Sequence, residues 1–156
     1  MAETQEIRGC VIRLDLHYNV NDHTWVRMND DGTVTLGMTD VAQNMAGPLL
    51  HAKVKAAGTT RKKGKPIATV ESAKWVGPVK SPLSGEIVEV NEAIEKDAKI
   101  INQSPYNRGW IVKMQPSQLD EEIGELLTGQ EAVEAYKNKI ESEDIKACEH
   151  VEGFEA

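Results

Sequence analysis

One lysine is set apart by its neighbours. Lys74 closes the segment Val70-Glu71-Ser72-Ala73-Lys74 just beyond an apolar run, and Pro82-Leu83-Ser84-Gly85-Glu86 opens a second run after it. Two strand-like runs about a short link place this lysine at the tip of a hairpin-like turn, where its primary amine can be acylated and a long arm attached. A turn lysine is ordinarily only a solvated charge, so any chemistry rests on what surrounds it. The sequence has no nucleophile paired with a base, no phosphate-cradling glycine loop and no zinc-ligand spacing among His17, His23, His51 and His150. The chain alone is therefore expected to turn over nothing and to hold no metal.

The elements that position Lys74 read as mostly β. Val11 to Tyr18 alternates, with Ile12, Leu14, Leu16 and Tyr18 on one side and Arg13, Asp15 and His17 on the other, which predicts one half-buried strand. Thr24 to Met28 and Thr33 to Met38 flank Asn29-Asp30-Asp31-Gly32, a hairpin signal. Thr39 can cap a short helix over Val41 to Met45 that Gly47-Pro48 must end. Further strands are predicted at Leu49 to Lys55, Pro66 to Ser72, Gly85 to Asn91 and Trp110 to Met114.

Beyond Pro116 the period changes. Ser117 can cap a helix bearing Leu119, Ile123, Leu126 and Leu127, and Gly129 separates it from a second helix with Val133, Tyr136 and Ile140. These apolar positions read as a stripe packed on the β body. The organisation expected is a β domain over residues 1–116, a helical segment over 117–148 and a frayed tail over 149–156.

A chain of 156 residues with 40% hydrophobic content can bury one core. The net charge of −7 is uneven: after Pro116 twelve acids face three bases. Nucleic acid is a poor partner for such a chain, because the one basic cluster, Arg61-Lys62-Lys63-Gly64-Lys65, is short and lacks interleaved aromatics. That cluster reads as a solvated turn or a docking patch for an acidic partner. The acidic start and the lack of a long apolar run predict a cytoplasmic protein with no membrane span. Cys10 and Cys148 near opposite ends are then expected as reduced thiols, with no role assigned.

The lysine turn resembles that of the glycine cleavage system H protein family, in which this lysine is amidated by lipoic acid. The resemblance implies that Glu71, three residues before Lys74, and Gly85, eleven after it, help the attaching enzyme recognise the turn. It extends through His23-Thr24-Trp25-Val26, Thr33 to Asp40 with Ala42-Gln43, Gly85 to Asn91, and Ile101-Asn102-Gln103-Ser104-Pro105-Tyr106 with Gly109-Trp110. It implies a barrel-sandwich hybrid of antiparallel sheets with a helix near the C-terminus, lipoic acid as covalent cofactor, and a lipoate ligase or equivalent machinery as partner. Lipoamide serves as a group carrier whose dithiol chemistry other enzymes use.

The chain departs from that family around the arm. In H proteins of glycine cleavage the resemblance implies that an aminomethyl cargo is held by an acid in a His-Glu-Trp motif and by an aspartate four residues past the lipoyl lysine. Thr24 and Pro78 stand there in this chain, Val41 replaces a histidine, and Gly47 is followed by Pro48-Leu49-Leu50 with no acid. A charge-assisted hydrogen bond is worth about 1.5–3 kcal/mol, so losing the acids disfavours an amine cargo.

The turn Glu71 to Pro82 also resembles the lipoate-binding proteins that serve the heterodisulfide-reductase-like complex of sulfur oxidisers, which implies a sulfur-containing cargo. Trp75 can offer the arm a flat apolar surface, or it can simply steady the turn. Two further readings stand beside this: an H protein of glycine cleavage carrying an aminomethyl group, and an unmodified interaction module. Biotin carriers flank their lysine with methionines and the lipoyl domains of 2-oxo acid dehydrogenases show Asp-Lys-Ala, whereas Lys74 lies between Ala73 and Trp75.

Overall fold

The computed structural model describes residues 3–156. In chain order the elements are β1 (Thr4–Ile7), β2 (Cys10–Arg13), β3 (His17–Asn19), β4 (Thr24–Met28), β5 (Val34–Met38), α1 (Asp40–Ala46), β6 (Leu49–Val54), β7 (Thr60–Arg61), β8 (Pro66–Ser72), β9 (Val76–Lys80) and β10 (Gly85–Val90). They continue with α2 (Glu92–Lys96), α3 (Lys99–Gln103), β11 (Val112–Pro116), α4 (Leu119–Glu122), β12 (Leu127–Thr128) and α5 (Gly129–Ser142).

Three sheets form: β12-β3-β4-β5-β11-β10-β7, β6-β8-β9, and the hairpin β1-β2. The first two close over one apolar core, to which Val26, Leu36 and Met114 come from the long sheet and Leu49, Ile67, Val70 and Val79 from the short one. A second cluster joins Ile12, Leu16 and Tyr18 to Tyr136 and Ile140 of α5. Its centre is Trp25, whose ring lies on its cross-strand partner Gly37 so closely that a Cβ there would stand 2.5 Å from the indole. The indole N–H donates to the carbonyls of Met38 (3.1 Å) and Pro105 (2.9 Å), which ties the β4–β5 hairpin to the loop after α3.

The predicted hairpin and the strands from Leu49, Pro66 and Gly85 are present. Thr39 caps α1 by accepting from Ala42 N–H, and Gly47 ends it at φ 82°. The strand expected from Trp110 begins at Val112, and α2 and α3 fill a stretch to which the sequence pattern assigns no element.

Four expectations are corrected. The strand over Val11 to Tyr18 is broken into β2 and β3, because the Tyr18 hydroxyl folds back to accept from Arg13 N–H and donate to Arg13 C=O (both 2.8 Å), which bends the chain at Leu14–Leu16. The helix predicted from Ser117 through Leu127 stops early. Ser117 N–H bonds Ser84 C=O instead of capping, and Leu127 joins β12, whose backbone pairs with the exposed edge of β3.

The residues past 148, expected to fray, lie on the body: Glu155 accepts from Arg108 Nε at 3.1 Å, and His150 stacks on Phe154 at 3.6 Å. Last, Cys10 and Cys148 are not free thiols but a disulfide with Cα atoms 4.9 Å apart. The cause is tertiary. Cys148 N–H donates to Arg8 C=O across the β1–β2 turn, so the two ends of the chain run side by side.

Among the described residues no helix is long and apolar enough to cross a membrane. Alkylation of the denatured protein without reductant is expected to add no label, and after reduction to label Cys10 and Cys148. The Cys10→Ser/Cys148→Ser variant is expected to lose about 2–5 kcal/mol of unfolding free energy in denaturant titration. Labelling before reduction would contradict the bridge.

Candidate functional site

β8 alternates inward and outward: Val70 and Ser72 are buried while Thr69 and Glu71 are exposed. Ser72 is therefore the last inward residue, and the chain reverses through Ala73, Lys74 and Trp75 before β9. Ser72 N–H closes the turn on Trp75 C=O at 2.8 Å. All four residues from Ala73 to Val76 are exposed, so Lys74 stands at a hairpin tip as predicted. Its stem crosses the end of α1 at Gly47, where a Cβ would meet Lys74 Cε at 3.0 Å. Glycine at 47 thus both ends the helix and makes room for the lysine.

Glu71 is exposed one strand residue before the turn, opposite Val76. Trp75 is 42% exposed and covers Gly77, whose missing side chain admits the ring. Pro78 sits on β9, an edge strand that tolerates a residue without an N–H. Gly85 is different. It is buried in β10 against β11, where a Cβ would stand 2.3 Å from Gln115 O and 2.8 Å from Met114 Cγ, so close backbone approach by itself demands glycine there.

An apolar cleft of about 250 Å³ opens beside the turn, lined by Met38, Ala42, Met45, Trp75, Pro78 and Val79, with Asp22 and His23 at one end. Sequence reasoning named only Trp75 and Pro78 of these around the arm. It missed Asp22, the one carboxylate of the lining, which is held by Asn19 through Asp22 N–H at 3.1 Å. The signal was Asn19-Val20-Asn21-Asp22, a turn-forming run directly before His23-Thr24-Trp25. Thr24, by contrast, is buried, lines no part of the cleft, and its Oγ1 has no partner among the described residues.

His23 adopts φ 56°, a left-handed conformation uncommon outside glycine, and its ring stacks on Tyr136 with Nδ1 at 3.3 Å from the hydroxyl. Burial, and then the nearby Lys139 ammonium, press its pKa down to about 4. The imidazole facing the cleft is therefore neutral at pH 7. The basic cluster is a turn between β7 and β8, and Lys63 pairs with Glu125 of the chain's own acidic segment.

The site is thus a lysine on an exposed hairpin, set on two packed sheets beside an apolar cleft. The sequence profile described as "Glycine cleavage H-protein" matches residues 16–139. Glycine cleavage system H protein 2 of Aquifex aeolicus is 45% identical over 150 residues, covering 96% of this chain and 93% of that protein. Glycine cleavage system H protein 3 of the same organism is 50% identical, with 90% and 89% covered. The crystal structure of a glycine cleavage system H protein from Mycobacterium marinum superposes with a TM-score of 0.71 at 35% identity, covering 80% of this chain and 98% of that one.

The chain belongs to the glycine cleavage H-protein family and has its lipoyl/H-protein fold. Members carry covalently attached lipoic acid on a lysine, act as carriers rather than catalysts, and work with lipoylation machinery and partner enzymes.

Two outcomes follow from the geometry. Gly85→Ala is expected to cost about 1–3 kcal/mol by overpacking, read as a lowered denaturation midpoint. His23, with its folded pKa depressed below its ordinary 6.5, stays neutral in the native state while the unfolded chain takes up a proton. Stability should therefore fall as pH drops from about 6.5 towards 4 and be insensitive to this group above that window. A His23 ring signal titrating near pH 6.5 in the folded protein would contradict the assignment.

Proposed function

We propose that Lys74 is the lysine that bears the lipoyl arm, with Glu71 as a surface feature read by the attaching enzyme and Gly85 acting from β10, where it lets the backbone approach β11 closely. The observation that carries this is the placement of Lys74 alone at the tip of the β8–β9 turn, its stem lying in the gap left by Gly47. The surroundings suit the group: Met38, Met45, Trp75 and Val79 beside the turn offer an alkyl chain and a dithiolane an apolar surface. Lipoamide supplies an exchangeable dithiol on a long tether, and the protein supplies position.

The cargo we propose is a sulfur-containing intermediate in sulfur oxidation, handed to a heterodisulfide-reductase-like complex. What supports this is the cleft's composition. Pro78 occupies the lining where the family resemblance implies an aspartate, Thr24 is turned into the core, and His23 is held neutral. An ammonium cargo finds few carboxylates here. One observation favours the glycine cleavage reading instead: Asp22 brings a carboxylate to the cleft, and it can accept a hydrogen bond from an aminomethyl amine.

The test is intact mass and peptide mapping of protein from its own cells grown on reduced sulfur, with Lys74→Arg alongside. Lipoyl on Lys74 with additional sulfur is the expected result, and Lys74→Arg should abolish modification while leaving the fold unchanged. Lipoyl bearing an aminomethyl group would replace the sulfur reading with glycine cleavage. An unmodified Lys74 would overturn the carrier assignment and leave an interaction module.

A further inference from the structure

The apolar cleft is not the only space open to Lys74. The lysine does not line that cleft; it lines two polar grooves on the opposite side of Met45. These measure about 630 and 270 Å³ and share Asn44, Lys74 and Glu149, so they form one trough. Its floor is α1, and its far wall is the strap of residues 143–151 beyond α5. The strap lies outside residues 16–139 matched by the family profile, as does Cys10, its anchor.

The strap is held by several polar ties. The Asn44 side chain donates to Lys146 C=O (3.3 Å) and Ala147 C=O (3.2 Å) and accepts from Glu149 N–H (3.0 Å), copying a backbone partner. His150 Nε2 meets Asp40 Oδ2 at 2.8 Å, and that carboxylate is wholly buried, also accepting from Val11 N–H and Gln43 Nε2. Arg8 donates to Ile145 C=O at 2.9 Å. The Cys10–Cys148 bridge then makes the attachment covalent. Burying a carboxylate is costly unless it is fully partnered, so this position is specified, not incidental.

We infer that the trough between α1 and the strap is a second seat for the arm on Lys74, and that the Cys10–Cys148 disulfide is the clasp that keeps its wall in place. The occupant is an alkyl amide ending in sulfur. Met45, Ile145 and Ala147 give its chain apolar contact, while Asn44, Lys146 and Glu149 give its amide and any polar terminal group hydrogen-bonding partners. The apolar cleft and the trough divide the arm's positions by polarity, with Met45, 48% exposed, as the ridge between them. The inference rests on Lys74 being the lipoyl lysine.

The test compares amide and side-chain NMR shifts of the full chain before and after attachment of lipoic acid by a lipoate ligase, with intact mass verifying the modification. Lipoylation is expected to shift residues 144–149 and the Asn44 side-chain amide. Those shifts should shrink in Cys10→Ser/Cys148→Ser, whose strap keeps its hydrogen bonds but loses its covalent tie, while shifts at His23 and Trp75 remain. Ala147→Trp keeps the bridge and fills the trough from an exposed position, so it should remove the strap shifts without unfolding risk to the core. Lipoylated wild type that shifts only His23, Met38 and Trp75, or Ala147→Trp that responds like wild type, would overturn the second seat alone. Absence of any mass increment on Lys74 would overturn the carrier reading with it.

Discussion

Burial of one face of β8 is the constraint from which the rest of the site follows. Ala68, Val70 and Ser72 are buried while Thr69 and Glu71 are exposed, and a slip of one residue would exchange these sets. The register to β6 on one side and β9 on the other is thereby fixed, and with it the point at which the chain leaves the sheet. Since Ser72 is the last inward residue, Ala73, Lys74 and Trp75 have no choice but to project. The lysine's position is a product of strand period, not of any contact made by the lysine itself.

What the turn projects over is set by a different force. Gly37 and Gly77 each carry an indole across their bare backbone, and Gly47 carries the lysine stem. Each is a place where one side chain has been removed so that another can lie flat. The cleft that results is apolar with a neutral imidazole and a single carboxylate, because His23 is desolvated against Tyr136 and Thr24 faces inward. Its lining is apolar apart from Asp22, the one carboxylate, and the neutral His23.

The segments flanking residues 16–139 do more than lengthen the chain. The β1–β2 hairpin and the C-terminal strap meet at the Cys10–Cys148 bridge, and the buried Asp40 at the start of α1 binds both, through Val11 N–H and His150. Through α1 this junction is mechanically continuous with Gly47 and Lys74. A junction far from the lysine turn in sequence thus becomes part of its surroundings in space.

The sequence by itself determined the local elements and singled out the turn that carries the candidate lysine. The β4–β5 hairpin follows from Asn29 to Gly32, α1 from Thr39 and Gly47, β8 from its period of two, and the candidate lysine from its flanking strands. These signals are read over a few residues, where backbone preference and hydrophobic period act directly. Tertiary structure decided the break at Leu14–Leu16, the recruitment of Leu127 to the edge of β3, the packing reason for Gly85, the place of Asp22 at the cleft and the disulfide across 138 residues. Each of these depends on which surfaces meet after the sheets close. Closure is set by the sum of many weak contacts between distant segments, and no spacing along the chain records it.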